Sequence, residues 1–498
     1  MFRWRKLAKM PRAAHKRGVM DGRDVAMRQA EILVVDLDGT LVRTDTLHEG
    51  FWAAFGRDWR TPFAVAAALR EGRAALKRHL AAAVPAPESL PYDPAVLEYV
   101  QRWRADGGRT ALVTAADAQV AHAVAQHLGL FDEAHGSDGR HNLKGTNKAA
   151  FLRDRFAGGY AYMGDSSADL PVWQGAACAI TVNAPATLRR RAAGVAAQVE
   201  HLGHLRRPVG PYLRAMRPHQ WLKNLLVFLP MLTAHRLDAL TLAQAALAFV
   251  AFSLIASAVY VLNDLLDLSA DRAHPRKRLR PLASGDLPLA HGAALGVGLV
   301  AAGVAVSLTL GWTFVAVMLG YLVMTTAYSL HLKRRAIIDI CVLAGLYTVR
   351  IVAGGAATGI ELSVWLLAFS IFFFFALAAV KRQAELVDSA RRGKLQASGR
   401  GYHVEDLPII SMMAIGAGFL SVLVMALYVD SPVVQDLYGT PAALWGICCV
   451  LLYWISRTIL IAHRGQMDDD PVVFAARDRI SLVCFALIVA FAVGGWVL

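Results

Sequence analysis

From about residue 220 onward the chain runs through one apolar stretch of close to 20 residues after another, more than a water-soluble fold can bury. Each is long enough to cross a bilayer as a helix, which satisfies its own backbone hydrogen bonds where no water can. The stretches fall at about 221–235, 242–262, 289–309, 312–330, 337–357, 363–380, 408–429, 440–462 and 480–497, which predicts about nine transmembrane helices, the first of them short. Before them, residues 29–205 alternate apolar and polar as a soluble domain does. The expected fold is therefore multidomain: a soluble α/β Rossmann-like domain followed by an all-α polytopic membrane domain.

A hydrophobic share of 56% and a mean hydropathy of +0.41 fit that division. The net charge of +14 does not argue for nucleic acid, because basic residues in a membrane protein mark cytoplasmic loops and suit anionic substrates. The basic clusters Arg272–Arg280, Lys333–Arg335, Lys381–Arg400 and Arg464–Arg479 all fall on one side of the predicted spans. That side is expected to be the cytoplasmic face of a cytoplasmic (inner) membrane, with the soluble domain on it. Residues 1–28 are basic and hold no apolar core of a secretory signal. Residues 206–213 read as a linker, and 214–498 as the membrane domain. The five cysteines form no CxxC pair, so reduced, buried thiols are expected.

The second predicted span ends in Asn263-Asp264-Leu265-Leu266-Asp267-Leu268-Ser269-Ala270-Asp271. Spaced three and four apart, Asp264, Asp267 and Asp271 would share one face of a helix and could hold Mg²⁺ together with phosphate oxygens. Arg272, Lys277, Arg278 and Arg280 follow at once and would take the remaining phosphate charge. A charged loop that merely orients helices would have a similar composition, but three acids in register with a basic tail point to a diphosphate site.

In the soluble part, Ile32-Leu33-Val34-Val35 reads as a buried parallel strand that runs into Asp36-Leu37-Asp38-Gly39-Thr40. A second strand, 110–113, ends in Thr114. A third, 160–163, ends in Gly164-Asp165-Ser166-Ser167-Ala168-Asp169. Lys148 opens a helix over 148–155, and Lys144 lies nearby. Carboxylates at the C-terminal edge of such a sheet stand where α/β folds bind ligands.

These pieces resemble the haloacid dehalogenase (HAD) superfamily of phosphatases. The resemblance implies that Asp36 is the nucleophile, Asp38 the general acid and base, and that Thr114 and Lys148 hold the phosphoryl group, with Lys144 as the rival lysine. It also implies Mg²⁺ held by Asp36 and Asp165 and supported by Asp169. Residues 46–108 would be a small helical cap.

The NDxxDxxxD run resembles the UbiA superfamily of intramembrane transferases, which ionise a Mg²⁺-bound diphosphate. Within it, Arg217-Pro218-x-Gln220-Trp221-x-Lys223-Asn224, Asp271-Arg272-Ala273-His274-Pro275, Tyr328-Ser329-x-x-Leu332-Lys333, Lys381-Arg382-x-x-Glu385 and Asp470-Pro471 look like the branch of polyprenyl-phosphate phosphoribosyltransferases. The resemblance implies phosphoribosyl pyrophosphate (PRPP) and a polyprenyl phosphate as substrates. Where prenyl-transferring members carry paired acids in a second motif, Asp339 stands alone among Lys333, Arg350, Lys381 and Arg382. Lys223, Asn263, Tyr328 and these residues complete the expected substrate site. Arg350 in mid-span needs a polar cavity or an acid such as Asp339. The run Phe372–Phe375 either lines a groove for an isoprenoid or packs against other helices.

Three functions follow from these readings. The first is a bifunctional enzyme that transfers 5-phosphoribose to the lipid phosphate and then removes the 5-phosphate. The second is a prenyltransferase acting on an aromatic or other small acceptor. The third is a lipid-phosphate carrier with a regulatory soluble domain. Nucleic acid is not an expected partner, and a homo-oligomer is compatible with the sequence.

Overall fold

The computed structural model describes residues 30–138, 142–203, 209–393, 395, 401–467 and 470–497. The basic segment 1–28 and linker residues 206–208 lie outside them. The chain forms two compact units. The first holds the chain up to Pro208 with Leu268–Leu279 and Ala283–Leu289, and the second holds Val209–Asp267, Arg280–Leu282 and Ala290–Leu498.

The first unit is built on six parallel strands, β1 (Ile32–Val35), β2 (Arg109–Asp117), β3 (Glu133–Ser137), β4 (Tyr160–Gly164), β5 (Cys178–Val182) and β6 (Val199–Leu202), in the order β3-β2-β1-β4-β5-β6. β1 is central, with Val35 paired to Leu112 on one side and Met163 on the other. All four of its residues are buried, as expected of a strand covered on both faces. Leu33 and Val35 face one apolar layer with Val96, Val100 and Trp103, whereas Ile32 and Val34 face a second with Leu152, Tyr162 and Trp173. The strand order reverses between β1 and β4, and a sheet of this kind offers its ligand crevice at that point.

Two local readings change. β2 continues to Asp117, with a register shift between Val113 and Asp117, so Thr114 lies inside the strand rather than at its end. Residues 46–108 hold the helices Thr46–Phe55, Thr61–Arg70, Arg73–Ala81 and Pro94–Ala105. The last of these buries Val96, Tyr99, Val100 and Trp103 in the sheet's own core and is not part of a cap.

The segment after Asp267 belongs to this unit. Arg272, expected to meet substrate, instead grips Glu49 through its two terminal guanidinium nitrogens at 3.0 and 2.6 Å, and its Nε donates to the Ala283 carbonyl at 2.9 Å. Glu49 is 0% exposed and also accepts from the Thr44 hydroxyl at 2.8 Å. A carboxylate so far from water requires a fixed counter-charge, and Arg272 supplies it. Lys277 and Arg278 lie exposed on the 3-10 turn Lys277–Leu279 of the same unit. Replacing Arg272 by methionine is expected to destabilise the protein by about 3–5 kcal/mol, read as a lower unfolding midpoint, because Glu49 is left buried without its partner.

The second unit is helical. Among the described residues, eight helices are long and apolar enough to cross a membrane: Ala239–Leu266, Leu289–Leu308, Trp312–Leu330, Ile338–Thr358, Val364–Arg391, Val404–Val429, Pro441–His463 and Arg479–Val497. Large apolar side chains such as Val297, Val323, Val364 and Phe485 point outward, which suits lipid and not water. The stretch 221–235, expected to be a short span, is a 3-10 helix over Pro218–Phe228 followed by the short helix Leu229–Thr233. Pro230 lies inside this stretch and lacks the amide hydrogen a continuous helix would need. Phe374 stacks on Tyr347 at 4.9 Å and Phe373 lies 5.9 Å from Trp454, so these two rings of the aromatic run pack within the bundle.

Candidate active sites

At the reversal of the soluble sheet, β1 delivers Asp36 and the turn after it delivers Asp38. The Leu37 amide donates to Asp36 Oδ1 at 2.8 Å, and the Thr46 amide donates to Asp38 Oδ1 at 2.8 Å. Gly39 turns the chain at a φ of +74°, and a Cβ there would stand 2.3 Å from an Asp165 oxygen, so only glycine fits. Asp165 follows β4, and the Thr40 hydroxyl reaches it at 3.5 Å.

Lys148 projects from the helix Thr146–Arg155, its Nζ 2.9 Å from Asp36 Oδ2 and 2.8 Å from the Tyr162 hydroxyl. Lys144 is exposed, and of the two lysines it is Lys148 that stands against Asp36. Thr114 is wholly buried, and its Oγ accepts from the Ala116 amide at 3.0 Å.

Burial pushes the Asp38 carboxyl up to about 7, with Asp45 and Asp36 adding repulsion. Burial, then the neighbouring Asp169, Asp36 and Asp38, holds Asp165 well above the usual carboxylate range, against the pull of Lys148. Oxygen donors crowded in this way fit a hard divalent cation, which would relieve their repulsion.

In the second unit Asp264 is buried in the last turn of Ala239–Leu266, where Arg217 pairs with it and Arg280 donates to Oδ1 at 3.1 Å. The helix ends there. Asp267 caps it, and Asp271 lies in a separate short helix, Leu268–Ala273, so the three acids do not share one continuous helical face. Asp267 meets Lys333 Nζ at 3.2 Å. Beside Asp264, the Asn263 Oδ1 is buried and has no hydrogen-bond partner, an oxygen donor that an oxygen-seeking cation would satisfy.

Asp470 collects Lys223, with Lys381 at 3.8 Å. Burial alone would raise this carboxyl, but Lys381 and Lys223 outweigh it and hold it down at about 2. Arg350 does not pair with Asp339. Its Nε donates to Asn224 Oδ1 at 2.9 Å and another nitrogen donates to the Leu346 carbonyl, while Phe252, Tyr321 and Tyr347 surround it at 4.9–5.6 Å. These rings and the amide offset the cost of a charge in mid-span.

Asp339 and Arg382, expected to meet substrate, pair with each other instead. Both are 0% exposed, with Arg382 2.5 Å from Asp339, Tyr402 donating to Asp339, and Glu385 taking a second Arg382 nitrogen. Buried on each other, they offer no surface to a substrate. Tyr328 is partly buried in the apolar cluster around Phe252 and Tyr321. Arg217 and Asp470, which the sequence offers only as parts of longer motifs, stand in these clusters as well. Tyr162 carried no signal beyond its place in an apolar strand.

Residues 225–474 match the UbiA prenyltransferase family and residues 33–174 match haloacid dehalogenase-like hydrolases. The protein y4nM of Sinorhizobium fredii is 38% identical over 460 residues, 92% of this chain and 89% of that protein. The decaprenyl-phosphate phosphoribosyltransferase of Mycolicibacterium smegmatis is 39% identical over 286 residues, 56% of this chain and 89% of that enzyme. A UbiA homolog from Archaeoglobus fulgidus, solved bound to GPP and Mg²⁺, aligns at 16% identity over 57% of this chain and 99% of its own, with a TM-score of 0.44. This multi-pass membrane enzyme belongs to the UbiA prenyltransferase family and carries a haloacid dehalogenase-like hydrolase domain ahead of its transferase domain.

Proposed function

We propose that the membrane unit transfers 5-phosphoribose from PRPP to a polyprenyl phosphate and that the soluble unit removes the 5-phosphate from the product. One observation carries the choice of donor. Around Asp264, Asp267 and Asp470 of the second unit stand five cationic side chains, Arg217, Lys223, Arg280, Lys333 and Lys381. The excess of positive charge suits a donor with a phosphate besides its diphosphate, and an acceptor that is itself a phosphate. Asp339, where a second metal-binding acid pair would begin, is committed to Arg382. The relatives named decaprenyl-phosphate phosphoribosyltransferase support the same reading.

Asn263, Asp264 and Asp267 would hold Mg²⁺ in the membrane unit, and Asp36 and Asp165 in the soluble one. When bound, the metal neutralises charge on the departing diphosphate or on the phosphoryl group. The basic side chains orient PRPP so that an acceptor phosphate oxygen bonds to C1 of the ribose as the C1–O bond to diphosphate breaks. In the soluble unit Asp36 attacks the 5-phosphate, the bond to the sugar oxygen breaks, and Asp38 gives that oxygen its proton. Water then attacks the aspartyl-phosphate as Asp38 takes the water's proton, and orthophosphate leaves. The basic loops favour a cytoplasmic membrane, with those loops on its cytoplasmic face.

Purified full-length protein with Mg²⁺, polyprenyl phosphate and PRPP labelled in the ribose is expected to move label into the lipid phase. A label carried only from a prenyl diphosphate would replace this reading with prenyl transfer.

A further inference from the structure

We propose that Tyr162 is a positioning residue of the phosphatase site: its hydroxyl fixes the Lys148 ammonium where it meets Asp36. The inference rests on the phosphatase reading of the soluble unit. Tyr162 sits in the middle of β4 at 0% exposure, on the sheet face that packs against the helix carrying Lys148. Residues alternate sides along a strand, so β4 sends Tyr162 to that face and Met163 to the other.

The hydroxyl has two polar neighbours. It donates to Asp169 Oδ1 at 2.9 Å and accepts from Lys148 Nζ at 2.8 Å. The lysine sets the direction: an ammonium can only donate, so the phenol's lone pair faces Lys148 and its one proton goes to Asp169. Asp169 is itself held through Oδ2, which accepts from the amide and the hydroxyl of Ser166, both at 3.0 Å.

Lys148 is only 2% exposed and has a four-carbon stem that could adopt several rotamers. Asp36 at 2.9 Å and the phenol at 2.8 Å fix its head group from two directions. The contacts of the Tyr162 hydroxyl are with Lys148 and Asp169. It acts through the lysine, and phenylalanine would keep the ring's packing while removing only the contact that aims the ammonium.

The test uses full-length protein in detergent with Mg²⁺. The ester p-nitrophenyl phosphate reports turnover, and beryllofluoride, which binds an active-site aspartate as a phosphoryl mimic, reports site geometry by calorimetry. Tyr162→Phe is expected to lower kcat about 10- to 100-fold with a smaller change in KM, and to weaken beryllofluoride binding at least about tenfold. Added to Lys148→Ala, it is expected to cost no more than about a further twofold, because its effect runs through that lysine. The proposal is overturned if Tyr162→Phe keeps kcat and beryllofluoride affinity within about twofold of the unaltered protein, or if its effect multiplies fully with that of Lys148→Ala. Should the unaltered protein release no more orthophosphate than Asp36→Asn, the phosphatase reading fails, and the binding arm still decides whether Tyr162 positions Lys148.

Discussion

Asp36→Asn is expected to stop orthophosphate release, by a factor on the order of 10⁴ or more, while diphosphate release from PRPP continues. The amide keeps the size of the carboxylate and can still accept from the Leu37 amide that holds it, so the fold should be preserved. It removes the carboxylate proposed as the nucleophile, and with it the ion pair to Lys148 at 2.9 Å. The phosphorylated lipid should then accumulate, visible as a product that a separate phosphatase converts to the dephosphorylated form. Unchanged orthophosphate release would reassign the nucleophile and remove the soluble unit from the second step.

The converse experiment separates the other chemistry. Asp264→Asn is expected to reduce diphosphate release about 10²- to 10³-fold, the usual effect of deleting one preorganised charge contact at a site of developing charge. Hydrolysis of a small phosphate ester should be unaltered. Asp264 is buried at the end of its helix and is the acceptor that both Arg217 and Arg280 share. Its loss therefore also weakens the hold on two side chains proposed to orient phosphates. If transfer survives Asp264→Asn and Asp267→Asn alike, the acid cluster is not where diphosphate leaves, and a carrier role for the membrane unit gains.

The features that were readable in the sequence are local. Ile32–Val35 runs straight into two aspartates, and a buried parallel strand can deliver them only to the edge of the sheet. The membrane helices were visible because apolar length alone decides whether a segment can span. What stayed hidden depends on partners far apart along the chain. Arg272 looked like one more cation beside the acid cluster, yet its partner, Glu49, lies 223 residues away. Asp339 and Arg382 looked like substrate ligands because both are charged and flank spans, and only the packing of their helices shows that they neutralise each other. Tyr162 was indistinguishable from an apolar core residue until the side chains on either side of its hydroxyl were known. The break after Leu266 is similar: spacing put Asp271 on a continuous helix, and the backbone ends that helix one residue before Asp267.

The first unit is discontinuous in the gene, since Leu268–Leu279 and Ala283–Leu289 complete it from beyond Pro208. Genetic fission at the linker would consequently yield a hydrolase fragment with a hole where Arg272 belongs and an orphaned acid inside it. A lineage that acquired this hydrolase by fusion could not readily shed it again as a free-standing gene, and a transferase stripped of it would carry a loop shaped for a missing host.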